Sequence, residues 1–574
     1  MRPENVSILI AILILLIGGS LCYFTKPSQK LTPKFIKLYW TSALVLSLFP
    51  LSMLLWYQLT SNFRFSYVYE HTCESLPTIY KISALWSGQQ GSLLLWAVII
   101  LILGLAVVRI ALTTSKRILG IYSIICAFVC FLALVTNPFE TMPSASPIDG
   151  LGLSLALQDP WMVVHPPLVF VGYSCMAVLF SLSSISPIGF IGQNKGKVIQ
   201  FPANPQVRSS NCNKIIASWI KLSFAFLGLG ILSGCVWAYR ALGWGGYWSW
   251  DAIENIALVP WLIMCAFLHG KLQYSKSMCV IPFIIAAFGT FLVRSGVLQE
   301  SSVHAYAAAN SRIALMLLTL IIAIALIILV ILIKAKKIFT SRINIKDKLQ
   351  MFRLIIYFYS MILLVATLIP VLTTIETPTA FYNITATMFA VIMCCLLIWY
   401  QARLVLSRYI AILVVNTIIT AAILLLFRGI SVFYVVLFWI CMIPLSLYIV
   451  TFCRTVKSSY ATSHLFVVLL ILGAIASTGF SNQLMDIIDV NNNTITVEGK
   501  IFSTTPVKEH MTLMVNTPSV DYIISSLQSL GDNTNRILVT YCSKPLIILF
   551  WAGSFLLIIY CFISYVKTKQ ALKR

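Results

Sequence analysis

Read by hydropathy alone, the chain is a succession of apolar runs of about 20 residues, separated by short polar or basic stretches. At a rise of about 1.5 Å per residue, each run is long enough to cross a ~30 Å hydrocarbon core as a helix. The pattern predicts about fifteen spans, near 6–24, 38–60, 92–112, 118–136, 166–186, 214–236, 255–272, 277–298, 311–334, 353–374, 384–402, 408–427, 431–450, 462–480 and 545–565. An all-α polytopic membrane protein is therefore expected. Residues 481–544 depart from the pattern. They are polar, with Asn-rich turns and β-leaning stretches such as "NTITVEGKIF", and read as a small extramembrane domain on the outer side. The remaining parts are an N-terminal bundle (1–236), a tryptophan-rich segment with the seventh and eighth spans (237–310), a C-terminal bundle (311–480) and a last span with its tail (545–574).

Composition sharpens this. Of 574 residues, 59% are hydrophobic and 10% charged, against about 25% charged in a soluble protein. A soluble enzyme, a disordered scaffold and a disulfide-stapled secreted module are excluded. The net charge of +23 has a topological reading, because Lys and Arg gather on the cytoplasmic side of membrane proteins. Basic clusters such as Lys26, Lys30, Lys34 and Lys37, or Lys334, Lys336, Lys337 and Arg342, alternate with poor loops such as 137–165. This puts the N-terminus outside and the C-terminus inside, and no basic block calls for nucleic acid. The lysines follow the first apolar run, against the order of a cleaved signal peptide. The 15 cysteines form no C-x-x-C, although Cys394 and Cys395 are adjacent.

The six histidines sort by depth. His165 lies at the outer end of the fifth span, where Pro166 and Pro167 suit a helix start. His304 lies in the outer loop after the eighth span. His269 falls roughly 21 Å down the seventh span and His464 within about 5 Å of the inner boundary on the fourteenth. Two pairs result, one toward each face. Two imidazoles on different helices suit the axial positions of haem iron. Each histidine taken singly is as readily an interhelical hydrogen-bond donor or a loop residue. His71 and His510, in outer polar segments, carry no comparable signal.

The run "WAYRALGWGGYWSWDAIENIALVPWL" holds Trp237, Trp244, Trp248, Trp250 and Trp261 between spans six and seven. An interfacial aromatic belt accounts for one or two of these, not five with glycines between them. Stiff aromatic faces beside glycines suit the face of a porphyrin. Asp251 and Glu254 read as a capping box for the seventh span. Arg240 and Arg294 are candidates for haem propionates, with interfacial snorkelling as the competing reading.

"WGGYWSWDAIEN" (244–255) resembles the signature of the haem-handling superfamily that carries the WWD domain. "LWSGQQGSLLLW" (85–96), "QDPWMVVHPPLVFVGY" (158–173) and "GTFLVRSGVLQESSVHAYA" (289–307) resemble further blocks of its CcmF-type haem lyase subunits. The resemblance implies that His165 and His304 ligate haem in transit to apocytochrome c, against a platform of Trp237, Trp244, Tyr247, Trp248, Trp250 and Asp251. It implies a resident b-type haem on His269 and His464. It also implies a CcmE-like haem chaperone, a CcmH-like subunit that presents apocytochrome c, and a quinol as electron source. The membrane is then the bacterial inner membrane, with the mitochondrial inner membrane as the alternative; high Ile, Lys and Asn usage points to an AT-rich genome, that of a bacterial symbiont or a mitochondrion. The chain departs from the family's usual pattern at Tyr247, Ser249, Ala252, Ser87, Gln90 and Phe466, none of them an expected ligand. A sibling WWD protein of another maturation system and a di-haem electron-transfer protein are the alternatives. A secondary transporter is disfavoured by the scarcity of intramembrane carboxylates and of paired repeats.

Overall fold

The computed structural model describes residues 2–25, 31–143, 147–191, 205–241, 246–269, 277–295, 347–373, 375–401, 409–426, 431–454, 459–481, 483–489, 494–497, 500–503, 513–516, 520–529 and 536–573. Among these, eleven helices are long and apolar enough to cross a membrane, and three shorter apolar ones cover Ala252–Leu268, Ile281–Arg294 and Ile410–Ile423. Together they fall on every expected span except 311–334, which lies outside the described residues. The chain is a multi-pass helical membrane protein. It divides into two compact units, one of Met1–Ser233, Asp251–Thr377 and Cys561–Arg574, the other of Gly234–Trp250 and Pro378–Tyr560.

The first unit begins with a four-helix cluster: α1 (Pro3–Phe24), α2 (Pro33–Leu59), α5 (Gln89–Thr113) and α6 (Lys116–Thr136). Apolar side chains cover these helices on every face, outward as well as inward, because lipid, not water, lies outside. Trp40 and Tyr122 are fully buried there and spend their polar ends on main-chain carbonyls, the indole on Leu101 at 3.1 Å and the phenol on Ile100 at 2.8 Å. Pro50 lies inside α2 and removes the bond that the Leu46 carbonyl would accept. The Ser7 hydroxyl of α1 donates to that carbonyl at 2.6 Å.

Two short helices, α3 (Ser66–His71) and α4 (Thr78–Ser87), precede α5, and neither is long enough to register as a span. Gly88 separates α4 from α5 and donates its N–H to the Tyr67 hydroxyl at 3.1 Å. A Cβ at Gly88 would stand 2.5 Å from His71 Nε2, so only glycine lets the chain pass. The unit is completed by α7 (Pro160–Ile191), the first part of α8 (Pro205–Ala241), α9 (Ala252–Leu268), α10 (Ile281–Ser295), α11 (Lys348–Leu372) and the end of α16 (Ile547–Lys573).

The second unit packs α12 (Thr379–Gln401), α13 (Tyr409–Leu426), α14 (Val432–Arg454) and α15 (Ser459–Gly479) around Cys394, Phe438, Cys441, Tyr448 and Leu472. Strands fill part of the stretch expected to be extramembrane. β1 (Gln483–Asp489), β6 (Arg536–Pro545), β5 (Val520–Ser529) and β4 (Leu513–Asn516) lie in that order in an antiparallel sheet. β2 (Thr494–Val497) and β3 (Lys500–Ser503) pair as a hairpin on the β-leaning "NTITVEGKIF" stretch.

Two expected boundaries move. α7 starts at Pro160, not at Pro166, because Asp159 accepts from the Trp161 N–H at 2.8 Å and Pro160 supplies a preset first residue. α9 ends at Leu268, so His269 caps its C-terminus and is not inside the helix.

Candidate functional site

Three of the motif blocks meet in the first unit. Trp86 donates to the Met162 carbonyl at 3.4 Å, one of the two carbonyls that Pro166 and Pro167 deprive of helical donors. Trp96 donates to Ser174 at 3.2 Å and stacks on Phe170. Arg294, from the third block, is 4% exposed and donates to the Ser92 hydroxyl at 3.0 Å, within electrostatic reach of Tyr173. Its burial rules out interfacial snorkelling. Arg240, at the end of α8, is exposed.

His165 sits in the second turn of α7, half-buried. Its Nδ1 stands 2.7 Å from the Gly230 carbonyl of α8. A carbonyl only accepts, so the proton is on Nδ1 and the lone pair on Nε2, the tautomer that ligates a metal. α7 and α8 approach closely enough for this because Gly172 lies on the Leu227 backbone and Gly230 on Val169. His304 lies outside the described residues.

His269 follows the same logic. Its Nδ1 is 2.8 Å from the Cys265 carbonyl one turn back, which again leaves the lone pair on Nε2, and its ring leans on Phe352 of α11 at 4.5 Å. His464 belongs to the second unit, on α15, with its ring parallel to Tyr448 of α14 at 5.5 Å. Both rings are half-buried. The donor set of imidazoles, two of them in the ligating tautomer, fits haem iron.

The tryptophan segment belongs to the second unit up to Trp250. Trp244 lies outside the described residues. Trp237 is 6% exposed in α8, a core residue. Tyr247 stacks on Phe550 of α16 at 4.2 Å, with Trp551 at its edge. Burial pushes its phenol upward, and hydrogen bonds with Ser477 and Thr478 pull the other way. Tyr247 thus anchors the segment by its ring.

Trp250 has a φ of +61°, a left-handed conformation that costs a bulky side chain on the order of 1–3 kcal/mol. It is held there from three sides. Its ring lies on Tyr382 at 5.5 Å and 12° from parallel, its Nε1 donates to Asn383 Oδ1 at 2.7 Å, and Trp248 meets it edge-on at 5.9 Å. Tyr382 and Asn383 escaped the sequence reading because α12 lies 130 residues downstream with no motif. Asp251 and Glu254 form the expected capping box at the start of α9, with the Asp251 N–H on Glu254 at 3.2 Å.

The fold and these sites define a polytopic membrane protein with half-buried histidines and a strained aromatic segment. Residues 86–298 match the family model described as cytochrome C assembly protein. The chain is 34% identical over 286 residues to "Cytochrome c-type biogenesis protein CcmF" of Pseudomonas aeruginosa, a match covering 47% of this chain and 40% of that protein. It is 34% identical over 273 residues to "Cytochrome c-type biogenesis protein NrfE" of Haemophilus influenzae, covering 45% and 40%. It is 33% identical over 266 residues to CcmF of Escherichia coli, covering 44% and 38%. The match therefore spans about two fifths of the length of these relatives. The fold is similar to that of a solved structure titled "Cytochrome c Heme Lyase CcmF", with a TM-score of 0.71 at 16% identity, covering 99% of this chain and 98% of the other. The resemblance to CcmF-type proteins read from the sequence holds.

Proposed function

We propose that this chain is a haem lyase subunit of cytochrome c maturation, which receives haem from a CcmE-like chaperone. It would help attach that haem to the two thiols of a C-x-x-C-H apocytochrome c presented by a CcmH-like subunit. The observation that carries this reading is His165, inside the family-matched stretch with its proton tied to Gly230, on the same stretch as the strained tryptophan segment. The chain lies in a bacterial inner membrane, N-terminus outside, or in the mitochondrial inner membrane.

The roles of the residues follow from their chemistry. His165 and His304 hold the iron of the incoming haem, and Trp244, Trp248 and Trp250 cover its face. Fixed ring orientation then brings the vinyl edge to the substrate thiols at one place, which is where the rate gain of positioning comes from. Arg294 offers a buried guanidinium for a propionate carboxylate, and Arg240 an exposed one. The family resemblance assigns a resident b-type haem to His269 and His464, and when bound that haem would supply a one-electron relay from a quinol. No carboxylate or lysine is needed as acid or base. The likeness to NrfE supports a second reading, a sibling WWD protein serving a different set of cytochromes.

Absorption spectroscopy of the detergent-purified protein tests the assignment. A dithionite-reduced b-type band should be present, disappear in His269→Ala and in His464→Ala, and persist in His165→Ala, which instead loses cytochrome c assembly. Four single histidine variants with unchanged haem and unchanged assembly would sink it.

A further inference from the structure

We propose that Tyr382 and Asn383 are a positioning clamp that presents the Trp248 indole N–H to a carboxylate of the haem held on the tryptophan segment. This rests on the haem-handling reading above and extends it to α12, outside the family-matched stretch of residues 86–298.

The left-handed φ of Trp250 persists only if its surroundings over-determine it. Tyr382, itself 4% exposed, supplies a flat face that fixes the pitch of the Trp250 ring. Asn383 Oδ1 takes the indole proton at 2.7 Å and fixes the ring's rotation in its own plane. With pitch and rotation set, the Trp250 ring stands at 83° to Trp248 and fixes that ring in turn. Trp248 Nε1 is buried with no hydrogen-bond partner among the described residues. A buried indole N–H without an acceptor is costly, and such a cost is retained where a ligand supplies the acceptor. Trp250 has spent its N–H on Asn383, whereas the Trp248 N–H is unspent and can serve cargo. Haem carries acceptors of the right kind in its two propionate carboxylates, and a charged acceptor makes the stronger bond.

The test uses the full chain in detergent and two probes: ferrous protohaem and its dimethyl ester, which lacks free carboxylates. Binding is read by quenching of tryptophan fluorescence. The wild-type chain should bind protohaem about tenfold more tightly than the ester. Trp248→Phe, which keeps an aromatic face and removes the N–H, should erase that preference. Asn383→Leu should erase it too, while Asn383→Asp, which keeps the acceptor oxygen, should restore it. The b-type band assigned to His269 and His464 should stay unchanged throughout, which a merely structural role would not predict. If Asn383→Leu does not assemble, Tyr382→Leu removes the stack alone and should lose the preference in the same way. The proposal is overturned if Asn383→Leu, or Tyr382→Leu in its place, keeps the preference. It also falls if Asn383→Asp loses it equally, or if wild type binds both probes alike. A wild-type chain that binds neither probe defeats the haem-handling reading itself, and the clamp with it.

Discussion

His165 donates its Nδ1 proton to the Gly230 carbonyl across 2.7 Å, so one hydrogen bond between α7 and α8 decides which ring nitrogen can meet iron. A side chain at Gly230 would disturb it, since a Cβ there stands 2.8 Å from Val169 Cγ2 and 3.0 Å from the Val169 nitrogen. Gly230→Val should push α7 off α8 and weaken binding of added ferrous haem about tenfold, or about 1.4 kcal/mol. The resident b-type band should survive. Haem titration of the solubilised variant, read beside its reduced spectrum, checks both halves.

The Asp251–Glu254 capping box separates a structural acid from a ligand-binding one. Asn caps as well as Asp, so Asp251→Asn should leave thermal stability and haem binding near wild type. Asp251→Ala should cost about 0.5–2 kcal/mol. Thermal unfolding of the three proteins decides it, and a haem-binding loss in Asp251→Asn at unchanged stability would assign the carboxylate to the ligand instead.

His71 gives the polar cap formed by α3 and α4 a pH dependence. Its ring stacks on Tyr67 at 4.3 Å, and burial lowers its pKa below the ordinary 6.5, against an opposing hydrogen bond to the Tyr67 carbonyl. Because the folded pKa is the lower, the unfolded segment binds a proton first as pH falls. Stability is complete above about pH 6.5 and is lost as pH drops through the folded value. Hydrogen exchange of residues 66–88 should accelerate over that window, and His71→Gln should flatten the profile.

The Trp86 indole serves the Met162 carbonyl, which Pro166 has left without a helical donor. Trp86→Phe keeps the ring and removes the donor, and should cost about 1–3 kcal/mol in the stability of the solubilised protein. Pro166→Ala in the same background returns a backbone N–H and should recover most of that loss. Chemical unfolding of the single and double variants reads the difference.

The spans were legible because each is a long apolar run, and lipid imposes that length directly. What the run does not encode is where a helix stops. The hydropathy pattern carries the seventh span on to residue 272, but its helix ends at Leu268 with His269 as the cap. The paired prolines suit a helix beginning, but the Asp159 cap, seven residues before Pro166, sets the start of α7. α3 and α4 fall below the length at which periodicity separates from noise. The histidines and tryptophans announced themselves by residue type. The partners that hold them, Gly230, Phe550, Tyr382 and Asn383, did not, because each is an ordinary residue whose role exists only once distant helices have met.

The Ser7 hydroxyl resting on the Leu46 carbonyl bears on how the chain enters its bilayer. Inserted alone, α2 would carry a naked oxygen through hydrocarbon at the place where Pro50 removes its donor. Inserted beside α1, it carries none. The first two helices are thus built to leave the translocation machinery as one hairpin, and deleting the first should strand the second at the membrane surface.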